Sequence, residues 1–138
     1  MKSDSSIKNI TLAAIRRHAI DLNDWKYTQI DPQSLPEQII LQDEEIAIVY
    51  SQFTKDDWTV FTSRRIVGKS ETKLDEILFR DIDDFIFGDF KNLNLTKTFF
   101  RITDIYGERA DFFMETGKAS MASIYALKTI LELHRTSA

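Results

Sequence analysis

The chain has no cysteine, which excludes disulfides, thiolate metal sites and a cysteine nucleophile together and fits a reducing, cytoplasmic setting. Its two histidines, His18 and His134, each fall near the end of an expected helix. A zinc site wants several such ligands on one face, whereas a histidine in a last helical turn is an ordinary favourable cap. Four glycines and two prolines provide no phosphate-cradling loop, and no Gly-x-Ser-x-Gly elbow occurs. No stretch approaches the roughly 18 uninterrupted apolar residues of a membrane span. Met1-Lys2-Ser3-Asp4-Ser5-Ser6 is not followed by the apolar run of a signal peptide. A basic excess is missing too. Net charge is −4, and residues 41–90 carry six cations against twelve carboxylates. Nucleic-acid binding needs a basic face, so the acidic middle argues against it and reads as a solvated surface.

What is present is enough for one ordinary domain: 138 residues, 43% hydrophobic and 29% charged. A chain of this length buries about two-thirds of its unfolded surface and needs no metal or disulfide to fold. Ser6 is placed to cap a helix running to His18 or Ile20, with Ile7, Ile10 and Ala14 on one stripe and Leu12, Ile15 and Ala19 beside it. Residues 21–36, punctuated by Pro32 and Pro36, read as a connection that Trp25 and Tyr27 pin to the domain. The expected division is an N-terminal helical extension and linker over 1–36 and a β-rich domain over 37–138. The extension is expected to pack on the domain or on a second copy of the chain.

From Glu37 the hydrophobic period becomes two. Ile46, Ile48 and Tyr50 mark a first strand. Asp57-Trp58-Thr59-Val60-Phe61-Thr62-Ser63-Arg64-Arg65-Ile66-Val67 reads as a second, breaking near Ser63. The polar stretch from Gly68 to Asp75 reads as a loop or ragged hairpin, followed by strands over 76–80 and 85–87. Phe100 and Ile102 are expected to face inward beside Ala110, Phe112 and Met114. A loop over Tyr106-Gly107-Glu108 opposes Ile102 to Phe112 and Phe100 to Met114 and keeps both sets on one face. It also sets Arg101 against Phe113 on the outer face. A wide apolar stripe (Met121, Ile124, Tyr125, Leu127, Ile130, Leu131, Leu133) predicts a helix over 118–134, with Gly117 before it and the Thr116 hydroxyl as its cap.

Phe61-Thr62-Ser63-Arg64-Arg65-Ile66-Val67 resembles the Thr-x-x-Arg-Ile segment of pleckstrin-homology-like (PH-like) domains, including the GRAM and bacterial PH groups. Glu45-Ile46 resembles the family's opening glutamate, and Phe79-Arg80-Asp81-Ile82 resembles its strand-to-strand segment. The resemblance spans residues 37–135. It implies a mainly β fold, a seven-stranded, partly open antiparallel barrel capped by the C-terminal helix. Six strands are legible, and the seventh is to be sought in Ser70–Leu74 or Asn92–Thr96. Eukaryotic members often bind phosphoinositide headgroups with basic residues in the first loops; here the first loop, Phe53-Thr54-Lys55-Asp56-Asp57, sets two carboxylates beside one lysine, which argues against such a site. Bacterial relatives are generally non-enzymatic modules, some of them oligomeric.

Asp81, Asp83, Asp84 and Asp89 are the sharpest cluster of hard-cation ligands. They lack the glycine-centred calcium loop and read as strand-end and solvated residues. No catalytic residue, metal site or cofactor is expected. Lys55, Arg64, Arg65, Lys69 and Lys73 form a candidate basic patch, set against a structural role in which the second arginine fixes a strand bend by reaching a carboxylate or carbonyl. Phe99 and Phe113 fall on the expected outer face, where neighbouring exposed aromatics mark contact surfaces. The function expected from these residues is non-catalytic binding of a protein or peptide, including self-association as a homo-oligomer. The alternatives are peripheral binding to anionic membrane lipid through the basic patch, or a small inhibitor or immunity protein using its acidic face.

Overall fold

The computed structural model describes residues 2–19 and 21–136. Helix α1 (Asp4–His18) begins before Ser6, because Ser3 is the N-cap and its Oγ accepts the Ser6 N–H at 3.1 Å. A helical end at Ile20 lies outside the described residues. The buried stripe of α1 is Ile7, Thr11, Leu12 and Ile15, while Ile10 stays 38% exposed.

The stretch read as a connection contains strand β1 (Thr28–Ile30), paired antiparallel with β2 (Ala47–Thr54) through a buried Thr28–Ser51 hydroxyl contact of 2.8 Å. Three residues are too few to display a period of two. The break at Ser63 is a full reversal between β3 (Asp57–Thr62) and β4 (Arg65–Ser70). The polar stretch after it is a hairpin from β4 to β5 (Lys73–Leu78), turning at Glu71 with φ 56°. Phe79–Asp81 is a short 3-10 turn rather than strand, with Phe79 buried. It leads into β6 (Ile82–Phe87), β7 (Lys97–Asp104) and β8 (Arg109–Glu115). Residues 92–96 form no strand. The strands make two sheets that do not close on each other, ordered β1-β2-β3-β4-β5 and β6-β7-β8.

The β7–β8 register differs from the expected one by two residues. Phe100 opposes Phe112, Ile102 opposes Ala110, and Arg101 opposes Asp111 rather than Phe113. The loop is Ile105-Tyr106-Gly107, one position earlier than expected. The Gly107 N–H donates to the Asp104 carbonyl (3.0 Å) with Gly107 at φ 85°, and the Asp104 carboxylate accepts the Tyr106 and Glu108 N–H groups at 2.9 Å each. Only a residue tolerant of positive φ closes this three-residue hairpin. A shift of two keeps every side chain on its expected face.

The core lies between the two sheets and α2 (Ser120–Thr136), which buries Ile124, Leu127, Ile130 and Leu131 against Phe61, Phe79, Phe100, Phe112 and Met114. Thr116 does not cap this helix; its hydroxyl donates to the Leu95 carbonyl, and a 3-10 turn over Gly117–Ala119 intervenes. Gly68 lets β8 cross β4, since a Cβ there would lie 2.6 Å from the Phe112 ring. A second apolar cluster on the opposite face of the larger sheet holds Tyr50, Trp58, Val60 and Val67 beneath Leu35 and Ile39. Residues 31–46 therefore wrap that face as a strap.

Candidate functional site

The β3–β4 reversal gathers charge from three parts of the chain. Arg65 grips Glu45 with Nε (2.8 Å) and Nη2 (3.1 Å), reaches Glu76 with Nη1 (2.9 Å), and donates to the Ile40 carbonyl (2.8 Å). Burial pushes the Glu45 carboxyl up, but hydrogen bonds from Arg65 and Thr62 outweigh it and leave it below its ordinary value. Arg64 donates to Asp4 through Nε (3.0 Å) and Nη2 (2.9 Å) and to the Asp43 carbonyl (2.7 Å). The Arg64 hydrogen bond, helped by Ser63, holds the Asp4 carboxyl low against its burial. The two arginines thus tie α1 and the strap to the larger sheet.

Strand β4 runs from Arg65 to Ser70, so Lys55, Lys69 and Lys73 sit at the far end from Arg64 and Arg65. Arg65 and Lys69 are four residues apart, about 13 Å along a strand. The five cations are therefore divided between two ends. Lys69 pairs with Asp56 (3.2 Å) and Lys73 with Asp75 (3.7 Å); Lys55 is exposed in the β2–β3 turn.

Phe99 and Phe113 stand directly opposite each other on the outer face of the smaller sheet, both half-buried. Lys97 lies over Phe113 (4.6 Å to the ring centre) and Phe53 (5.4 Å) and is ion-paired with Asp57. Arg101 lies over Phe99 (5.4 Å) and holds Asp111 through two hydrogen bonds of 2.8 and 3.1 Å. A cleft of about 470 Å³ opens beside them, lined by Lys73, Asp75, Arg101, Arg109, Asp111 and Phe113 among others. Arg109 is exposed and has no ionic partner among the described residues. Arg101 was expected on this outer face over an aromatic ring, and the ring it covers is Phe99. Lys97 escaped the reading of the sequence because its partners Asp57, Phe53 and Phe113 arrive only through the packing of strands on one another. Nothing in the sequence singled out Arg109.

The aspartates do not converge: Asp83, Asp84 and Asp89 are exposed, and the Asp81 carbonyl accepts the Ile105 N–H at 2.9 Å. Among the described residues no group of three or more His, Asp or Glu side chains is arranged to hold a metal ion. His18 stacks on Tyr125 with ring centres 4.0 Å apart. His134 donates through Nε2 to the Ser63 carbonyl (2.8 Å) and stacks on Phe79. A cavity of about 390 Å³ lies at this end, lined by Asp4, Ile7, Arg64, Leu78 and His134 among others. No described helix is long and apolar enough to cross a membrane.

No known family model and no curated protein matches the chain. Among solved structures it is similar to the Vps36 N-terminal PH domain. Identity is 12%, the match covers 78% of this chain and 95% of that one, and the TM-score is 0.50. At that identity the likeness concerns fold alone, and the fold is PH-like.

Proposed function

We propose that this PH-like chain is a cytoplasmic, non-catalytic interaction module that binds protein or peptide through the outer face of its smaller sheet. The observation that carries the reading is the half-exposed Phe99–Phe113 pair, flanked by Lys97 and Arg101 and bordered by a cleft of about 470 Å³. Aromatic and arginine side chains with accessible faces are the residue types that anchor protein contacts. Binding to anionic lipid would need cations gathered on one surface. Here Arg64, Arg65, Lys69 and Lys73 are each ion-paired, and they lie at two ends of the larger sheet.

The test is affinity capture from native host cells with the wild-type chain, Phe99→Ala and Phe113→Ala, together with sedimentation on vesicles rich in anionic lipid. The expected result is a captured protein depleted at least tenfold by either substitution, about 1.4 kcal/mol, and no sedimentation dependent on anionic lipid. Capture indifferent to both substitutions, or binding to vesicles lost in Arg64→Ala, contradicts it. Light scattering across concentration separates a foreign partner from a second copy.

A further inference from the structure

Edge strands carry a row of backbone groups with no partner on one side, and the alternation of an antiparallel ladder says which residues expose them. The Gly88 N–H donates to the Phe99 carbonyl at 2.8 Å, so Phe99 directs its backbone groups to β6; at the hairpin end, the Asp104 N–H donates to the Glu108 carbonyl at 2.9 Å. Even-numbered residues of β7 therefore bond to β8, and Arg109, Asp111 and Phe113 direct their N–H and C=O groups away from β7. At Phe113 both groups are met by Thr59, whose Oγ1 donates to the carbonyl (2.7 Å) and accepts the N–H (3.4 Å). The backbone groups of Arg109 and Asp111 find no such partner among the described residues. They border the cleft of about 470 Å³, within the size range of ligand sites.

We propose that this edge of β8 accepts an added strand: an extended peptide with a carboxylate and, four residues away on the same face, an apolar side chain. The inference rests on the protein-binding reading above and names the mode and chemistry of that contact. Unpaired amides at Arg109 and Asp111 supply the ladder, and Thr59 ends it at Phe113. The charges select the peptide. Lys73 is matched by Asp75 at 3.7 Å and Arg101 by Asp111, so Arg109 is the cation of the cleft left to take a carboxylate. Phe113, four residues further along the same face, offers the apolar contact; side chains of a strand alternate, so the ligand's two determinants share that spacing. A polyanionic headgroup would meet one unmatched cation and two carboxylates, which favours the peptide.

The probe is a displayed library of random extended peptides selected on the full chain, followed by affinity measurement of an enriched synthetic peptide. Enrichment of an acidic and an apolar residue at a spacing of four is expected, with affinity reduced at least tenfold by Arg109→Gln. Asp111→Pro deletes one outward N–H without touching the β7 ladder, and Asp111→Ala controls for the lost Arg101 contact. The peptide should bind Asp111→Pro at least tenfold more weakly than Asp111→Ala. Should Asp111→Pro fail to fold, N-methylation of the peptide amides makes the same comparison on wild-type chain, with the same expected loss. Equal binding to the proline and alanine variants, or no effect of N-methylation, overturns strand addition, as does failure to enrich any peptide. The capture experiment with Phe99→Ala and Phe113→Ala decides the broader reading independently.

Discussion

Glu45 is buried, with 5% of its surface exposed, and its charge is matched by Arg65, whose side chain is 12% exposed. Removing one member of such a pair leaves the other unmatched in a poor solvent for charge. Arg65→Ala is expected to lose about 3 kcal/mol in urea unfolding, and Arg65→Lys to recover only part, because a lysine cannot make the two-pronged contact. Asp4 and Glu45 both titrate lower in the folded chain than in the unfolded one. Their contribution is therefore complete above the ordinary carboxylate range and is lost as the pH falls through the lowered folded values. Stability should decline below about pH 4. In Arg65→Ala the Glu45 carboxylate keeps its burial and the hydrogen bonds from Thr62 and Gln42 but loses those from Arg65. Its folded value therefore rises, and the gap to wild type should narrow on acidification. A gap independent of pH contradicts this assignment. The carboxylate or carbonyl at the end of Arg65 was anticipated from the sequence as its structural role. That it would be Glu45, Glu76 and the Ile40 carbonyl at once was not, since these are brought together only by the strap.

At the level of elements, the alternation Phe100, Ile102 and Phe112, Met114 and the wide stripe of α2 disclosed their inward faces directly. Two features stayed hidden for identifiable reasons, and a third was legible in part. Strand β1 is too short to show a period. The β4–β5 hairpin was readable as a loop or ragged hairpin, with a further strand to be sought in Ser70–Leu74. Its strand bounds were not, because it is polar where it leaves the core, at Lys69-Ser70-Glu71-Thr72-Lys73. The register of β7–β8 depended on which residue accepts positive φ, and Gly107 closes a loop one position earlier than the hydrophobic pattern alone required. Two substitutions test these elements. Gly68→Ala forces a methyl group to 2.6 Å from the Phe112 ring. It is expected to cost about 1–3 kcal/mol of stability, as overpacking does; an unchanged melting temperature means that β8 does not cross β4 there. Asp104→Ala removes the acceptor of two loop N–H groups and should cost about 1 kcal/mol while leaving the cross-strand contacts of Phe100 and Phe112 intact by NMR.

For the whole molecule, the two open sheets need covers at both faces. Helix α1 buries Ile7, Leu12 and Ile15 in the main core, and the Lys26 and Tyr27 N–H groups donate to Glu115 at 3.0 and 2.9 Å. A chain starting at residue 37 is therefore expected to lose upwards of about 5 kcal/mol, from three side chains at roughly 2 kcal/mol each, and to show a broadened thermal transition. A transition matching the full chain contradicts that role for α1 and β1. The PH-like architecture positions a half-exposed aromatic and cationic face on one side and a charge-locked strap on the other. The most direct test of which side carries function is a ¹H–¹⁵N NMR titration of the labelled chain with an enriched peptide or captured partner. The account predicts shifts concentrated at Phe99, Arg101, Arg109, Asp111 and Phe113; shifts concentrated at Asp4, Arg64 and His134, with the smaller sheet unmoved, contradict it.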